Sequence, residues 1–237
     1  TALAFVLAPL ALVFPIHGAT DLGFVQALFE AVSAATTTGL TMVPEPETQP
    51  RTFLFARAWM QWYGGLGIAV LSIALLMGQA VATHRLIEAK ATDTFVTTSR
   101  THARRVLQVY GVLTVLAIAT LSLLAGDLEE GLVHALAAVS TGGFSRHGDS
   151  LAATSPAFAS ATLAFALLGA VTLPLYHGVL RERAARLRED REWLWLLLAV
   201  LGGALLLGAS LALQQGLGPG AAIRQALFLS ASAQSTA

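Results

Sequence analysis

AVSAATTTGLT, residues 31–41, sets three threonines and a glycine directly after a short apolar run. None of the four is a strong helix former, and lipid cannot satisfy non-helical backbone. The chain around them is apolar: 55% of its 237 residues are hydrophobic and 12% are charged, with a mean hydropathy of +0.68. A soluble domain carries about twice that charged share. The sequence therefore reads as an all-α integral membrane protein, with spans at 53–78, 106–125, 157–180 and 193–213. Each is long enough for a hydrocarbon core that needs about 20 helical residues. Residues 1–16 read as the remainder of a further span, so the sequence is expected to be a piece of a longer polypeptide. No basic start with a small-residue cleavage site marks a targeting peptide.

The 14 Lys and Arg balance the 14 Asp and Glu, but they are unevenly spread. Arg85, Lys90, Arg100, Arg104 and Arg105 fall in 83–105, and Arg181, Arg183, Arg186, Arg188 and Arg191 in 181–191. Basic connections stay on the cytoplasmic side, so 17–52, 126–155 and 214–237 are expected to face outward. Asp21, Glu30, Glu45, Glu47, Asp127, Glu129, Glu130 and Asp149 all belong to those outer segments. Topology alone accounts for the basic loops; docking of a cytosolic partner is the sharper alternative.

Each outer segment contains an apolar run too short to span. QALFEAVSAATTTG (26–39), GLVHALAAVSTGG (131–143) and QALFLSASAQSTA (225–237) can be laid on one another with Gly39 on Gly143, a separation of 104 residues. Self-similarity at that period indicates a repeated structural unit: an outer helix, a re-entrant half-helix with a loop, and an inner helix. Thr20 or Asp21 is expected to cap the first half-helix. Asp127 with Glu130 has the spacing of a capping box for the second, and Pro219-Gly220 introduces the third. Asp127, Glu129 and Glu130 are read as caps and solvated surface, with a cation-attracting vestibule as the alternative.

A loop returning outward from mid-membrane is tolerated only where protein buries it or where it lines water. Such a strand presents carbonyl oxygens, and rings of these can replace the hydration shell of a potassium ion. Glycine supplies the dihedrals that aim successive carbonyls one way. Threonine is stiff, and its hydroxyl either adds an oxygen ligand or braces the strand. The carbonyl ends of the half-helices carry partial negative charge that favours a cation. Taken singly, TTTG or STGG describes an ordinary turn; three matched copies give the pattern its weight.

ALFEAVSAATTTGLT, FARAWMQWYGGLGIAVL (55–71) and HALAAVSTGGFS (134–145) together resemble the Trk/Ktr/HKT superfamily of cation transporters. They are most similar to its bacterial TrkH-type potassium uptake subunits, and the resemblance covers nearly the whole chain. It implies four such units around a pseudo-fourfold pore, one filter loop from each. On that basis residues 1–82 form unit one, 101–180 unit two and 191–237 the first part of unit three. The sequence as given should not conduct without the remainder. Carried over by position, the potassium-binding filter comprises Thr36, Thr37, Thr38 and Gly39, then Ser140, Thr141, Gly142 and Gly143, then Ser235, Thr236 and Ala237. Glycine at the position of Gly39 accompanies potassium selectivity in the superfamily, and serine there accompanies sodium in some plant members. The resemblance also implies a cytosolic RCK-type nucleotide-binding regulatory subunit and a homodimer of full-length subunits. Membrane lipid is the other expected partner; nucleic acid and covalent cofactors are not expected.

Arg57 and Gln61 lie one turn apart inside a span, and an intramembrane charge is a functional candidate by default. Arg57 can snorkel to the outer interface; a structural brace behind the filter is the favoured reading of both. Gly64, Gly65 and Gly67 suit close helix packing, Pro174 a bend in the second inner helix, and Trp193 and Trp195 an interfacial belt. His17, His84, His102, His134, His147 and His177 show no metal-ligand spacing and are read as surface or packed residues. There is no cysteine, Walker loop, serine elbow or dinucleotide fingerprint, and no paired carboxylates lie within a span. An intramembrane enzyme thus lacks its constellation, which leaves a non-conducting scaffold or a sodium-permeable relative as the alternatives to potassium passage.

Overall fold

The computed structural model describes residues 2–85, 91–171, 191–215 and 218–236. Lys90, Pro174, His177, Arg181, Arg183, Arg186, Arg188 and Ala237 lie outside them. Among the described residues all regular structure is helical: α1 (Ala2–Ala19), α2 (Phe24–Ala35), α3 (Arg51–Arg85), α4 (Ala91–Ala125), α5 (Leu128–Val139), α6 (Pro156–Ala170), α7 (Glu192–Gln215) and α8 (Pro219–Ser235). Short 3-10 turns occupy Pro46–Thr48 and Ser150–Ala153.

At 12 residues each, α2 and α5 rise about 18 Å, well short of a hydrocarbon core of about 30 Å. Residues 103–125 and 193–214 are long and apolar enough to cross one. Two expectations need correction. Residues 91–105, read as part of a basic loop, continue α4 as helix. Hydropathy marks only the stretch that sits in lipid, whereas the helix propagates because 91–110 contains neither Gly nor Pro to stop it. The span expected at 157–180 is not continuous helix: α6 ends at Ala170 and Val171 is extended, with ψ 141°. Pro174 has no N–H to offer the Ala170 carbonyl, so the break precedes the proline.

The helix starts also differ from expectation. Gly23 is the N-cap of α2, and its N–H donates to Gln26 Oε1 at 2.9 Å. The Thr20 hydroxyl instead donates back to the Ile16 carbonyl at 2.7 Å, closing α1. Asp127 caps α5, accepting from the Glu129 N–H at 3.1 Å. Glu130 is engaged by His134, His147 and Arg146 rather than completing a capping box.

α2 packs between α1 and α3, α5 between α4 and α6, and α8 along α7, while α3 also meets α4 and α5, and α6 meets α8. Val13, Ala27, Ala31, Phe53 and Leu54 form one core; Val106, Tyr110, Leu121, Ala135, Val139 and Phe158 form another. Outside these cores, Leu3, Val6, Leu10 and Phe14 of α1 and Leu201, Leu205, Leu206 and Leu213 of α7 are exposed. So large an apolar surface is stable only against lipid or further protein.

Inner helices sit on the ends of half-helices through glycine. A Cβ on Gly64 would lie 2.1 Å from the Ala35 carbonyl oxygen, and one on Gly169 2.6 Å from the Val139 carbonyl oxygen. Ala35 and Val139 are the last residues of α2 and α5. Since backbone cannot yield as a flexible side chain can, Gly64→Val is expected to destabilise by about 3 kcal/mol through overpacking. A thermal melt in detergent unchanged from wild type would contradict this packing.

Candidate ion-binding loops

The half-helices end alike. In α2 the Thr38 N–H donates to the Ser33 carbonyl at 2.9 Å and the Thr37 N–H to the Ala34 carbonyl at 3.2 Å. In α5 the Gly142 N–H donates to the Ala137 carbonyl and the Thr141 N–H to the Ala138 carbonyl, both at 2.9 Å. This is a Schellman ending, whose left-handed residue is usually glycine. Here it is threonine: φ is 55° at Thr37, 54° at Thr141 and 55° at Thr236. A β-branched residue in that region persists only where its surroundings over-determine it. Gly39 (φ 77°) and Gly143 (φ 75°) follow two residues later. The backbone repeats where the letters repeat.

The preceding hydroxyls repeat too. Thr36 donates to the Val32 carbonyl at 2.8 Å, Ser140 to the Leu136 carbonyl at 2.9 Å and Ser235 to the Ala231 carbonyl at 2.8 Å. Each hydroxyl bonds back to the carbonyl four residues earlier in its own helix, and in α2 and α5 that carbonyl also accepts the same residue's N–H. The Thr36 and Thr38 hydroxyls pair at 2.8 Å. The main-chain oxygens of the loops are the candidate ligands that repeat from copy to copy.

The loops converge. A Cβ on Gly39 would lie 2.0 Å from the Gly142 carbonyl oxygen and 3.4 Å from the Gly143 Cα. The Thr236 hydroxyl donates to the Thr141 carbonyl at 3.0 Å. Segments that begin 104 and 95 residues apart in the chain therefore form one cluster. Ala237 lies outside the described residues.

Behind the loops lies a polar brace. Arg57 is buried rather than snorkelling: its Nη2 donates to the Ser145 carbonyl at 2.7 Å and its Nη1 to the Thr41 hydroxyl at 3.2 Å, with the Phe144 ring centre 4.3 Å from the guanidinium carbon. Glu30, read from sequence as an outer carboxylate, is instead fully buried, with Oε2 3.6 Å from Arg57 Nη1. Its Oε1 accepts from the Thr41 hydroxyl at 2.6 Å and from the Met42 N–H. The available signal was Arg57 itself, since a charge inside a span demands a counter-charge nearby. Glu30 is the acid in the adjoining half-helix.

Gln61 is also fully buried. Its Nε2 donates to the Gly142 carbonyl and its Oε1 accepts from the Phe144 N–H at 3.3 Å. The carboxamide thus pairs with 142–144 as a neighbouring strand would, satisfying backbone that has no sheet. One residue of α3 thereby holds the loop that follows α5.

Near the start of α5, Arg146 Nη1 meets Asp127 Oδ2 at 3.2 Å and Glu130 Oε2 at 3.3 Å, and His147 Nε2 meets Glu130 Oε1 at 3.0 Å. Burial pushes the Glu130 carboxyl up, but the His134 hydrogen bond and the charges of His134, His147 and Arg146 hold it below its ordinary value. The stability this contributes is present above the ordinary carboxylate range and is lost as pH falls through the lowered value.

The helical fold, the lipid-ready surface and the converging loops define a membrane protein of the transporter class. A family model described as TrkH, cation transport protein, matches residues 12–213. The chain belongs to the TrkH family of cation transport proteins. It is 30% identical over 189 residues to the Trk system potassium uptake protein TrkG of Escherichia coli (strain K12), covering 77% of this chain and 39% of that protein. To TrkH of Halomonas elongata it is 30% identical over 227 residues, covering 93% of this chain and 47% of that one. The crystal structure of the potassium transporter TrkH from Vibrio parahaemolyticus superposes with a TM-score of 0.80 at 25% identity, covering 97% of this chain and 48% of that chain. The chain thus spans less than half the length of these relatives.

Proposed function

We propose that the complete protein is a multi-pass subunit of the plasma (inner) membrane that passes potassium inward down its electrochemical gradient. The observation that carries this is the meeting of three Thr-containing loops, with Gly39 against Gly142 and Gly143 and Thr236 on Thr141. In this reading the ion sheds water and is held by main-chain oxygens of 36–39, 140–143 and the segment from 235 onward, leaving under repulsion from the next ion. Glu30, Arg57 and Gln61 hold those oxygens in place and touch no ion. Further units complete a pseudo-fourfold ring, and the protein performs no covalent chemistry. The relatives are named as potassium uptake proteins and a potassium transporter, which supports the choice of ion. A cytosolic RCK-type nucleotide-binding subunit regulates the pore from the basic inner side, and two full-length subunits form a homodimer.

Reconstituted at full length in liposomes, the protein is expected to take up potassium, with sodium competing at least about tenfold more weakly, a difference of about 1.4 kcal/mol. Absence of cation uptake would favour the scaffold. Equal passage of sodium would favour the sodium-permeable reading.

A further inference from the structure

One position of the repeat carries different chemistry in its first two copies. The separation that superposes Gly39 on Gly143 also superposes Glu30 on His134 and Thr41 on Ser145. Both pairs are in contact: the Thr41 hydroxyl donates to Glu30 Oε1 at 2.6 Å, and His134 Nε2 lies 3.2 Å from Ser145 Oγ. Glu30 and His134 are both buried. In each copy a half-helix side chain holds the hydroxyl two residues beyond the loop glycine.

We propose that His134 is a positioning residue for the second filter strand, and that protonation of its ring from the outer side tunes potassium over sodium. The inference rests on the filter reading given above. With Nδ1–H directed at the Glu130 carbonyl, 3.1 Å away, the neutral ring offers Nε2 as acceptor to the Ser145 hydroxyl. Ser145 Oγ in turn accepts from the His147 N–H at 3.1 Å. On protonation Nε2 becomes a donor, so the Ser145 hydroxyl hydrogen must turn to another acceptor. The strand is then held by a rearranged set of bonds. Because Arg57 fixes the Ser145 carbonyl and Gln61 fixes Gly142 and Phe144, the rearrangement is felt at the loop rather than dissipated.

The Glu130 carboxylate faces the Nδ1 side of the ring and lies between it and His147. Glu130 Oε1 lies 3.1 Å from His134 Nδ1 and 3.0 Å from Nε2 of His147, whose side chain is 33% exposed. The charged or titratable groups facing His134 are Glu130 of its own helix, Arg146 and His147 of the return strand, and Arg57 of α3 through Ser145. Toward it α6 presents Phe158, whose ring is 5.1 Å away, and Thr162, and α4 lines the neighbouring rim with Leu124 and Ala125. None of these four titrates.

The test uses the full-length protein in liposomes, with potassium and sodium uptake measured as outer pH is varied across about 5 to 8, where imidazoles titrate. The wild-type potassium-to-sodium ratio is expected to change about threefold or more across that range. His134→Gln keeps a hydrogen-bonding group facing Ser145 but does not titrate, and is expected to flatten the profile. Ser145→Ala removes the hydroxyl on which the ring acts and is expected to flatten it as well. His147→Gln leaves the buried ring in place and is expected to retain the profile. A pH-independent wild-type ratio overturns the proposal, as does a wild-type profile in either His134→Gln or Ser145→Ala, or a profile lost with His147→Gln alone. Absence of potassium uptake by the wild type at every pH would instead overturn the filter reading itself.

Discussion

Serine in place of Gly39 is expected to remove most of the potassium preference of the complete protein. Two observations set the size of the effect. Gly39 has φ 77°, a conformation that costs a residue with a side chain about 1–2 kcal/mol. Its missing Cβ also leaves room for the second loop, since a Cβ there would lie 2.0 Å from the Gly142 carbonyl oxygen. Backbone faces the intruding atom on that side, and Gln61 already holds Gly142 from behind. The loops must therefore separate, and oxygens spaced for one ion become spaced for none in particular. A fall of about tenfold or more in the potassium-to-sodium uptake ratio is expected, since each factor of ten needs only about 1.4 kcal/mol. Gly111→Ser is the control, because a Cβ on Gly111 meets nothing within 4 Å. A Gly39→Ser protein with the wild-type ratio would remove the loops from the ion path.

Loss of Arg57 should be the most damaging single change to stability. Arg57→Met keeps the length of the side chain but leaves the Glu30 carboxylate, which has no exposure to solvent, without its counter-charge. Breaking a buried pair on one side costs about 3–5 kcal/mol, which lowers Tm by about 10 °C for a chain of this size. The Ser145 carbonyl and the Thr41 hydroxyl lose their guanidinium donor as well, so both return strands loosen together. The double variant Arg57→Met with Glu30→Gln is expected to recover part of the loss, because no unpaired charge remains. Thermal unfolding in detergent reads this directly. A double variant as damaged as the sum of its single changes would mean that the two residues act independently.

The linear order of residues was enough to reveal the short helices and the shared way in which they end. Short apolar runs ending in Thr and Gly at a spacing of 104 residues indicated half-helices, because a helix too short for the bilayer must turn back inside it. The same letters fixed local backbone: Thr37, Thr141 and Thr236 share one dihedral region because each ends the same apolar run. Helix ends were less legible. Polar residues such as those at 91–105 remain helical outside lipid, and α6 stops before Pro174 because a missing donor acts four residues upstream.

What the sequence could not supply is which distant groups meet. Glu30 looks like any acid on an outer segment until α3 brings Arg57 to 3.6 Å. His134 shows no motif until the chain folds Ser145 onto it at 3.2 Å. Gln61 and Gly142 stand 81 residues apart, and nothing local links a carboxamide on one helix to a carbonyl after another. Periodicity and composition determine local conformation because they act between near neighbours and on the surrounding lipid. The cross-unit contacts depend on how the units pack, and burial then requires each polar group brought inside to find a partner.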